Sequence, residues 1–390
     1  MPDAPGALGS LRPVAGLKPF RALRYDTGRA GPLGRLVAPP HDVIAPGERE
    51  RLAAASPYNV VRLIRPESPA DAARTLAEWR AEGILVREER PAVWVLEEAF
   101  LGPDERERTR LGLVARIALE PYGAGAVLPH ERTLAGQKAA RLELLRAVRT
   151  KLSPVLLLHE GGSPRTPAER APDLDVTFEG VRSRLWRIED PAAVDSALAA
   201  VHGRVIIADG HHRYETALRF HEEEGTKETA YVYAALVARS DPGLVIFPTH
   251  RLALGAVPQL NGRFRLTELE VDAAEALARL ADVPRDRPAF VLLRPDSAVL
   301  AEAAPRREPV AVLDTAVLDE LPLPEVRFTA SAEEAERAVR DGRAAAAFLV
   351  RAPTMEQVEA VALAGAKMPE KSTYFFPKLT SGLLFSPFDE

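Results

Sequence analysis

The run Val205-Ile206-Ile207-Ala208-Asp209-Gly210-His211-His212-Arg213-Tyr214 constrains the fold more than any other stretch of the chain. Val205 to Ala208 is a short apolar run and reads as a buried strand, and Gly210 permits a tight turn. Tyr214 to Glu224 reads as a helix stopped by Gly225. A strand that passes through a glycine straight into a helix leaves unpaired backbone N–H groups at the helix start. Those amides and the helix dipole favour negative charge, and Arg213 can grip a phosphate through two parallel hydrogen bonds. Gly210, His211, His212 and Arg213 are therefore candidates for an anion site. Asp209 reads either as the N-cap of the helix or as a catalytic carboxylate. The two histidines are either polar turn residues or part of the site.

A chain of 390 residues exceeds one ordinary core, so two or three packed units are expected, and a hydrophobic content of 46% supports a large interior. The absence of cysteine excludes disulfides, thiolate metal sites and cysteine nucleophiles, and suits a cytoplasmic protein. No apolar run approaches the roughly 20 residues that span a bilayer, and the first fifteen residues lack a signal-peptide core. A formal charge of −5, with no basic tail or helix-turn-helix signature, disfavours nucleic acid as a partner. Only seven lysines, at 18, 138, 151, 227, 367, 371 and 378, stand among 51 basic residues. In such an arginine-biased chain a lysine can mark a place that needs a compact ammonium, although ordinary solvation is the bland alternative.

Patterning divides the chain into four parts. Residues 1–15 are rich in Pro and Gly and read as a flexible N-terminus. Residues 16–255 form an α+β region bearing the motifs. Here Pro69 to Ala81 carries Ala72, Leu76 and Trp79 at helical spacing, and Ala92 to Phe100 pairs with Gly112 to Leu119 around a charged tip at Asp104 to Arg108. Residues 256–366 alternate Ala/Glu-rich helices, Ala273 to Leu280 and Ala332 to Val339, with apolar strands at Ala289 to Leu293, Val310 to Leu313 and Ala346 to Val350. This accessory α+β unit braces the cleft or forms a homodimer surface. Residues 367–390 return to motif-like text and are expected to pack back on the cleft, with Tyr374, Phe375 and Phe376 as core anchors.

A second candidate site begins at Pro129-His130-Glu131-Arg132-Thr133, a loop followed by a helix from Gly136 to Thr150. Lys138 and Arg141 lie three apart near its start, so both can point toward His130 and Glu131. A general base beside cationic phosphate binders is what phosphoryl transfer or hydrolysis needs. The bland reading is a helix with solvated basic residues. His250-Arg251, after the apolar run Leu244 to Phe247, either adds to the cleft or makes a strand-end salt bridge. Lys371 and Lys378, flanking the aromatic run, can close the anion site from the far end of the chain together with Ser372-Thr373.

Two resemblances sharpen these readings. The Asp209-Gly210-His211-His212-Arg213 run resembles the second signature of the ParB/sulfiredoxin superfamily, whose members bind or turn over nucleotides and include an archaeal ADP-dependent free serine kinase. The whole chain resembles the family called domain of unknown function 1015 through Lys18-Pro19-Phe20-Arg21-Ala22, Arg24-Tyr25, Ala38-Pro39-Pro40-His41-Asp42-Val43-Ile44, Ser56-Pro57-Tyr58-Asn59-Val60, Pro129-His130-Glu131, Pro248-Thr249-His250-Arg251 and Lys371-Ser372-Thr373-Tyr374-Phe375-Phe376-Pro377-Lys378. That family usually has an aspartate just before the position of Arg141, where this chain has Ala140, so no acidic role falls there. The resemblance implies an α+β, ParB/sulfiredoxin-like region with an accessory unit. It also implies a small-molecule kinase-like phosphotransferase or phosphohydrolase in which Asp42 or Glu131 is the general base and Mg²⁺ with ADP or ATP is the cofactor. Serine or phosphoserine is the first substrate to consider by the same analogy. Two alternatives stand beside it: a nucleotide-dependent switch of the ParB type, and a metal-dependent hydrolase using His130, Glu131, His211 and His212.

Overall fold

Val205–Asp209 forms a strand inside an eight-stranded mixed sheet. A computed structural model describes residues 14 and 16–388 except 46, 134, 168, 258, 261 and 271. The N-terminal segment expected to be flexible lies, apart from Val14, outside the described residues. The strand order across the sheet is Val127–Leu128, Val205–Asp209, Val155–His159, Tyr231–Ala238, Glu107–Ala118, Val93–Leu101, Val181–Ile188 and Leu174–Phe178. Val205–Asp209 runs antiparallel to Val155–His159, which runs parallel to Tyr231–Ala238. Val205 and Ile207 pack with Leu157, Leu236 and Tyr214 on one face, whereas Ile206 and Ala208 join Phe20, Leu63 and Trp79 on the other. Because both faces are covered, the strand is a continuous apolar run instead of alternating with polar residues.

The helix after this strand starts earlier than its apolar pattern implies. It spans His211–Glu224, with Gly210 as N-cap at φ 94° and Gly225 left-handed at its end. Asp209 is therefore not the N-cap; it is the last residue of the strand, and its carboxylate faces cations instead of helix amides. The helix Ala135–Val148 packs against His211–Glu224. It stops short of the expected Thr150 because Arg149 turns left-handed at φ 44° and Thr150–Lys151 pairs with Ser386–Pro387. Pro69–Ala81 forms the expected helix, capped by Ser68, and buries Ala72, Leu76 and Trp79. The hairpin strands Val93–Leu101 and Glu107–Ala118 pair antiparallel as expected.

The second unit is a six-stranded antiparallel sheet in the order Phe264–Leu269, Ser297–Ala303, Ala289–Arg294, Ala346–Leu349, His250–Ala253 and Val326–Thr329. His250–Ala253 thus belongs to this sheet, although residues up to 255 read as the first unit. Val310 to Leu313, expected as a strand, instead forms turns, with Val312 N–H donating to the Glu308 carbonyl. Leu313 is buried there as the N-cap of the helix Asp314–Asp319. The two units share packing: Val358 and Val361, fully buried on the helix Met355–Leu363, join the core of the first unit. Arg239 pairs with Glu359 across the same boundary.

The C-terminal segment is woven into the first unit. Tyr374–Phe376 pairs antiparallel with Val245–Phe247. Arg110, fully buried and paired with Glu98 at 2.5 Å, donates to the carbonyls of Phe376 and Pro377. Arg116 donates to Ser386 Oγ at 2.9 Å and to the Pro387 carbonyl at 2.6 Å. These bonds fix Lys371 and Lys378 relative to the sheet. Among the described residues no helix is long and apolar enough to cross a membrane.

Candidate functional site

One cleft of about 1200 Å³ gathers most of the residues that the sequence nominated. Asp42, Glu131, Arg141, Asp209, Gly210, His211, His212, Arg213, Lys371 and Lys378 all line it. They come from five segments: the Pro39–Ile44 block, the His130 loop, the helix Ala135–Val148, the junction at Gly210 and the C-terminal segment.

Asp209 is the organising charge. Strand pairing slips between Ile207 and Asp209, so Ile207 faces Leu157 while Asp209 faces Leu156, and this bulge re-aims the carboxylate. Oδ1 accepts from Lys378 Nζ and Oδ2 from Arg213 Nη2, and Arg213 Nη1 donates to the Pro154 carbonyl. Burial alone would raise the Asp209 pKa, but Lys378 and Arg213 outweigh it and hold the carboxyl well below its ordinary range. Burial likewise opposes charge on Lys378, and Asp209 reverses that, raising its pKa. Arg213 thus spends part of its donor capacity inside the protein.

Gly210 shapes the helix start. At φ 94° a side chain is strained, and a Cβ there would sit 3.0 Å from the Arg213 guanidinium. No side chain caps this helix, and the first intrahelical bond is Tyr214 N–H to the Gly210 carbonyl. The residues of the first turn line the cleft, and its amides have no side-chain cap.

Arg141 is the least exposed of the cleft cations that lack an ion pair among the described residues. Among the described residues it has no carboxylate within ion-pair distance, and its Nη1 donates only to the Ile64 carbonyl at 3.3 Å. Burial, and then the charge of Arg213, lower its pKa to about 9, which leaves it cationic at neutral pH. Lys371, at φ 55°, is likewise without an ion pair among the described residues and helps to line the cleft. By contrast Lys138 is taken up by Glu215 at 2.9 Å, which also accepts from Thr133 Oγ1 at 2.7 Å.

Glu131 provides a carboxylate in a different condition. Burial raises its pKa above the ordinary value, against the pull of Lys371 and Lys378, and the nearby Asp209 charge adds to the rise. Behind it, His130 is fully buried, with Nε2 at 3.2 Å from Thr373 Oγ1 and its ring 4.7 Å from that of His211. The His130 backbone N–H donates to His211 Nε2 at 3.3 Å, which places the proton of a neutral His211 on Nδ1. Burial keeps both rings neutral, lowering His130 to about 4 and His211 well below its ordinary value. Burial also lowers His212, although Glu215 and Asp42 favour its charged form.

His250 and Arg251 do not line the cleft. Both are buried in a strand of the second sheet, where His250 Nδ1 accepts from Val350 N–H at 3.2 Å and Arg251 pairs with Asp319 at 2.8 Å. The metal-centre reading also loses its geometry: among the described residues no group of three or more His, Asp or Glu converges as a metal site. The cleft also contains Thr373, which the sequence offered with Ser372 as closing the anion site, and residues that the sequence did not nominate: His41, Arg65, Arg132 and Tyr374, and Arg327 and Phe328 from the second unit. His41 and Tyr374 stood inside the family-like blocks, which was an available signal. Arg327 and Phe328 carried none.

The model of a family of proteins of unknown function, DUF1015, matches residues 17–316. No functionally curated protein matches the chain. Among solved structures, the fold is similar to a mutant of a free serine kinase in complex with AMP, at 16% identity and a TM-score of 0.42, covering 68% of this chain and 88% of that one. A complex of the same kinase with ADP gives a TM-score of 0.41 at 16% identity, with the same coverages. A conserved hypothetical protein from Pyrococcus furiosus gives 0.37 at 17% identity, covering 67% of this chain and 90% of that one.

Proposed function

We propose that this chain, which belongs to the DUF1015 family, binds a nucleotide or another phosphate ester in its cleft and catalyses phosphoryl transfer or phosphate-ester hydrolysis on a small hydroxylated metabolite. Arg141 carries the reading. A half-buried guanidinium without a carboxylate partner, beside uncapped helix amides, leaves positive charge that a phosphate would complete. Lys371 adds to it from the C-terminal segment.

Glu131 supplies the base. Its raised pKa brings it closer to neutrality, where a carboxylate takes a proton most effectively. In transfer, the substrate hydroxyl oxygen forms a bond to phosphorus as its proton passes to Glu131. The bond from phosphorus to the leaving oxygen breaks, and the cations hold the charge that gathers on the phosphoryl oxygens. In hydrolysis water takes the place of the hydroxyl. Asp42, on the cleft wall, is the other candidate base. His130 and Thr373 hold the Glu131 loop in place.

Mg²⁺ fits this donor set, because it draws most of its ligands from water and phosphate oxygens and needs only one or two carboxylates. Asp42 is the cleft carboxylate that would hold it while Glu131 stays free as the base, and it would neutralise phosphate charge there.

The test is titration of the full chain with ADP, ATP and phosphoserine, with and without Mg²⁺. Turnover of serine with the nucleotide that binds is then followed by phosphorus NMR in the wild type and in Glu131→Gln. Binding of one ligand, with turnover lost in Glu131→Gln, is the expected result. Failure of every phosphate compound to bind would overturn the proposal.

A further inference from the structure

The second unit reads from sequence as a brace without chemistry, yet its edge strand Val326–Thr329 forms one wall of the cleft. Among the described residues that strand pairs with His250–Ala253 alone and stands at the edge of its sheet. Such edges are normally protected with charged residues. Arg327 meets that expectation, but Phe328 is left 43% exposed and lines the cleft. Val43, 38% exposed, lines the same cleft from the Pro39–Ile44 block. An exposed apolar residue alone needs no explanation, but two in one concave site beside unpaired cations mark a surface for a ligand with an apolar part.

The two ends of the cleft ask for different chemistry. Arg141, Lys371 and the amides at Gly210 take anionic oxygens, whereas Phe328 and Val43 present apolar surface. Inorganic phosphate or a small phosphorylated hydroxy acid would leave Phe328 in water. A nucleotide carries a planar base and phosphates in one molecule, and a base stacks on an aromatic ring. The cleft, at about 1200 Å³, has room for a nucleotide together with a small second substrate.

We infer that the second unit is part of the binding site: Phe328 stacks on the base of a nucleotide whose phosphates lie at Arg141 and the helix start. This assignment rests on the phosphate-site reading above and names its ligand class. The helix Met355–Leu363, with Val358 and Val361 buried in the first unit's core, holds the two walls together.

The experiment compares ADP with pyrophosphate, measured by calorimetric titration of the full chain as wild type, Phe328→Ala, Phe328→Trp and Arg141→Ala. Phe328→Ala is expected to weaken ADP by about tenfold or more and leave pyrophosphate unchanged, since one base-stacking contact has about that worth. Phe328→Trp is expected to retain ADP affinity. Arg141→Ala is expected to weaken both ligands. If Phe328→Ala binds ADP as the wild type does while Arg141→Ala does not, the base wall is refuted and the phosphate site stands. If Phe328→Ala weakens both ligands equally, Phe328 acts through structure and the assignment fails. If the wild type binds neither ligand, the phosphate reading falls and this inference falls with it.

Discussion

Replacing Arg141 with Met separates a cation kept for a ligand from one kept for the fold. The methionine retains most of the apolar stem and removes the charge. In the unliganded protein the loss is small: one hydrogen bond of 3.3 Å to the Ile64 carbonyl, worth about 0.5–1 kcal/mol. Against that loss stands the relief of an unpaired, partly buried charge that sits near Arg213. Solvent at the cleft mouth screens that term, and about 1 kcal/mol is a reasonable share of it. The stability of the free protein should therefore change by no more than about 1 kcal/mol, with the balance tilted toward stabilisation. Ligand binding should respond in the opposite sense. A charge-assisted bond to phosphate is worth about 1.5–3 kcal/mol, so Arg141→Met should raise the Kd for ADP by roughly 10- to 100-fold. Urea unfolding of the free protein gives the first quantity and calorimetry the second. A loss of more than about 2 kcal/mol in the free protein would make Arg141 a structural residue and refute the reasoning. So would an unchanged Kd.

Further outcomes follow from the buried charges. Lys378→Met leaves Asp209 buried with only Arg213 on its other oxygen, so urea unfolding should show a loss of about 2–4 kcal/mol, and Asp209→Asn in the same background should recover part of it. A recovery of zero would mean that the pair is not the source of the loss. Because Lys378 and Arg213 hold the Asp209 carboxyl low, the stability it contributes is present above the ordinary carboxylate pKa and disappears as pH falls through its lowered value. Glu131 has the opposite sign. Its raised pKa means that the fold favours its protonated form, a contribution complete below the ordinary carboxylate value and lost as pH rises through the raised one. At neutral pH Glu131→Gln should consequently unfold at an equal or higher urea concentration than the wild type. The acid limb of wild-type turnover should lie above the ordinary carboxylate range and be absent in that variant; a limb at the ordinary value would remove Glu131 as the base.

Much of the site was legible because strong local signals sit within it. An apolar run, a glycine and a helix pattern located the strand-to-helix junction, and Gly210 does adopt the left-handed geometry that only glycine takes without strain. What sequence could not supply was pairing. Arg213 and Lys378 read as free phosphate binders, but both pair with the Asp209 carboxylate, and Lys378 reaches it from the far end of the chain, which leaves no local trace. His250 and Arg251 read as cleft residues because they follow an apolar run. They lie instead in a strand that pairs with segments about 75 and 100 positions away in the chain. Val310 to Leu313 looked like a strand because a short apolar run has the same composition whether it enters a sheet or packs as a turn above one. Phe328 carried no signal at all, since its exposure depends on which strand edge the second sheet leaves open.

The distribution of paired and unpaired charge shows how the cleft divides its labour. Asp209, Lys378 and Arg213 form a closed set whose charges answer one another within the protein, so the set needs no ligand and fixes the helix start in place. Lys138 is settled in the same way by Glu215, and Arg251 by Asp319. Arg141 and Lys371 remain on the same cleft, together with the exposed Arg65, Arg132 and Arg327, none with an ion pair among the described residues, and Arg141 is the one of them that is partly buried. A protein holds a half-buried cation without a counter-ion only against a desolvation cost, and that cost is recovered when an anion arrives. Arginine suits such a position because its charge survives burial where that of lysine would not. Under the proposed function, the closed set holds the shape of the site and the open cations supply its affinity. Substitutions in the first should move stability more than binding, and substitutions in the second should move binding more than stability.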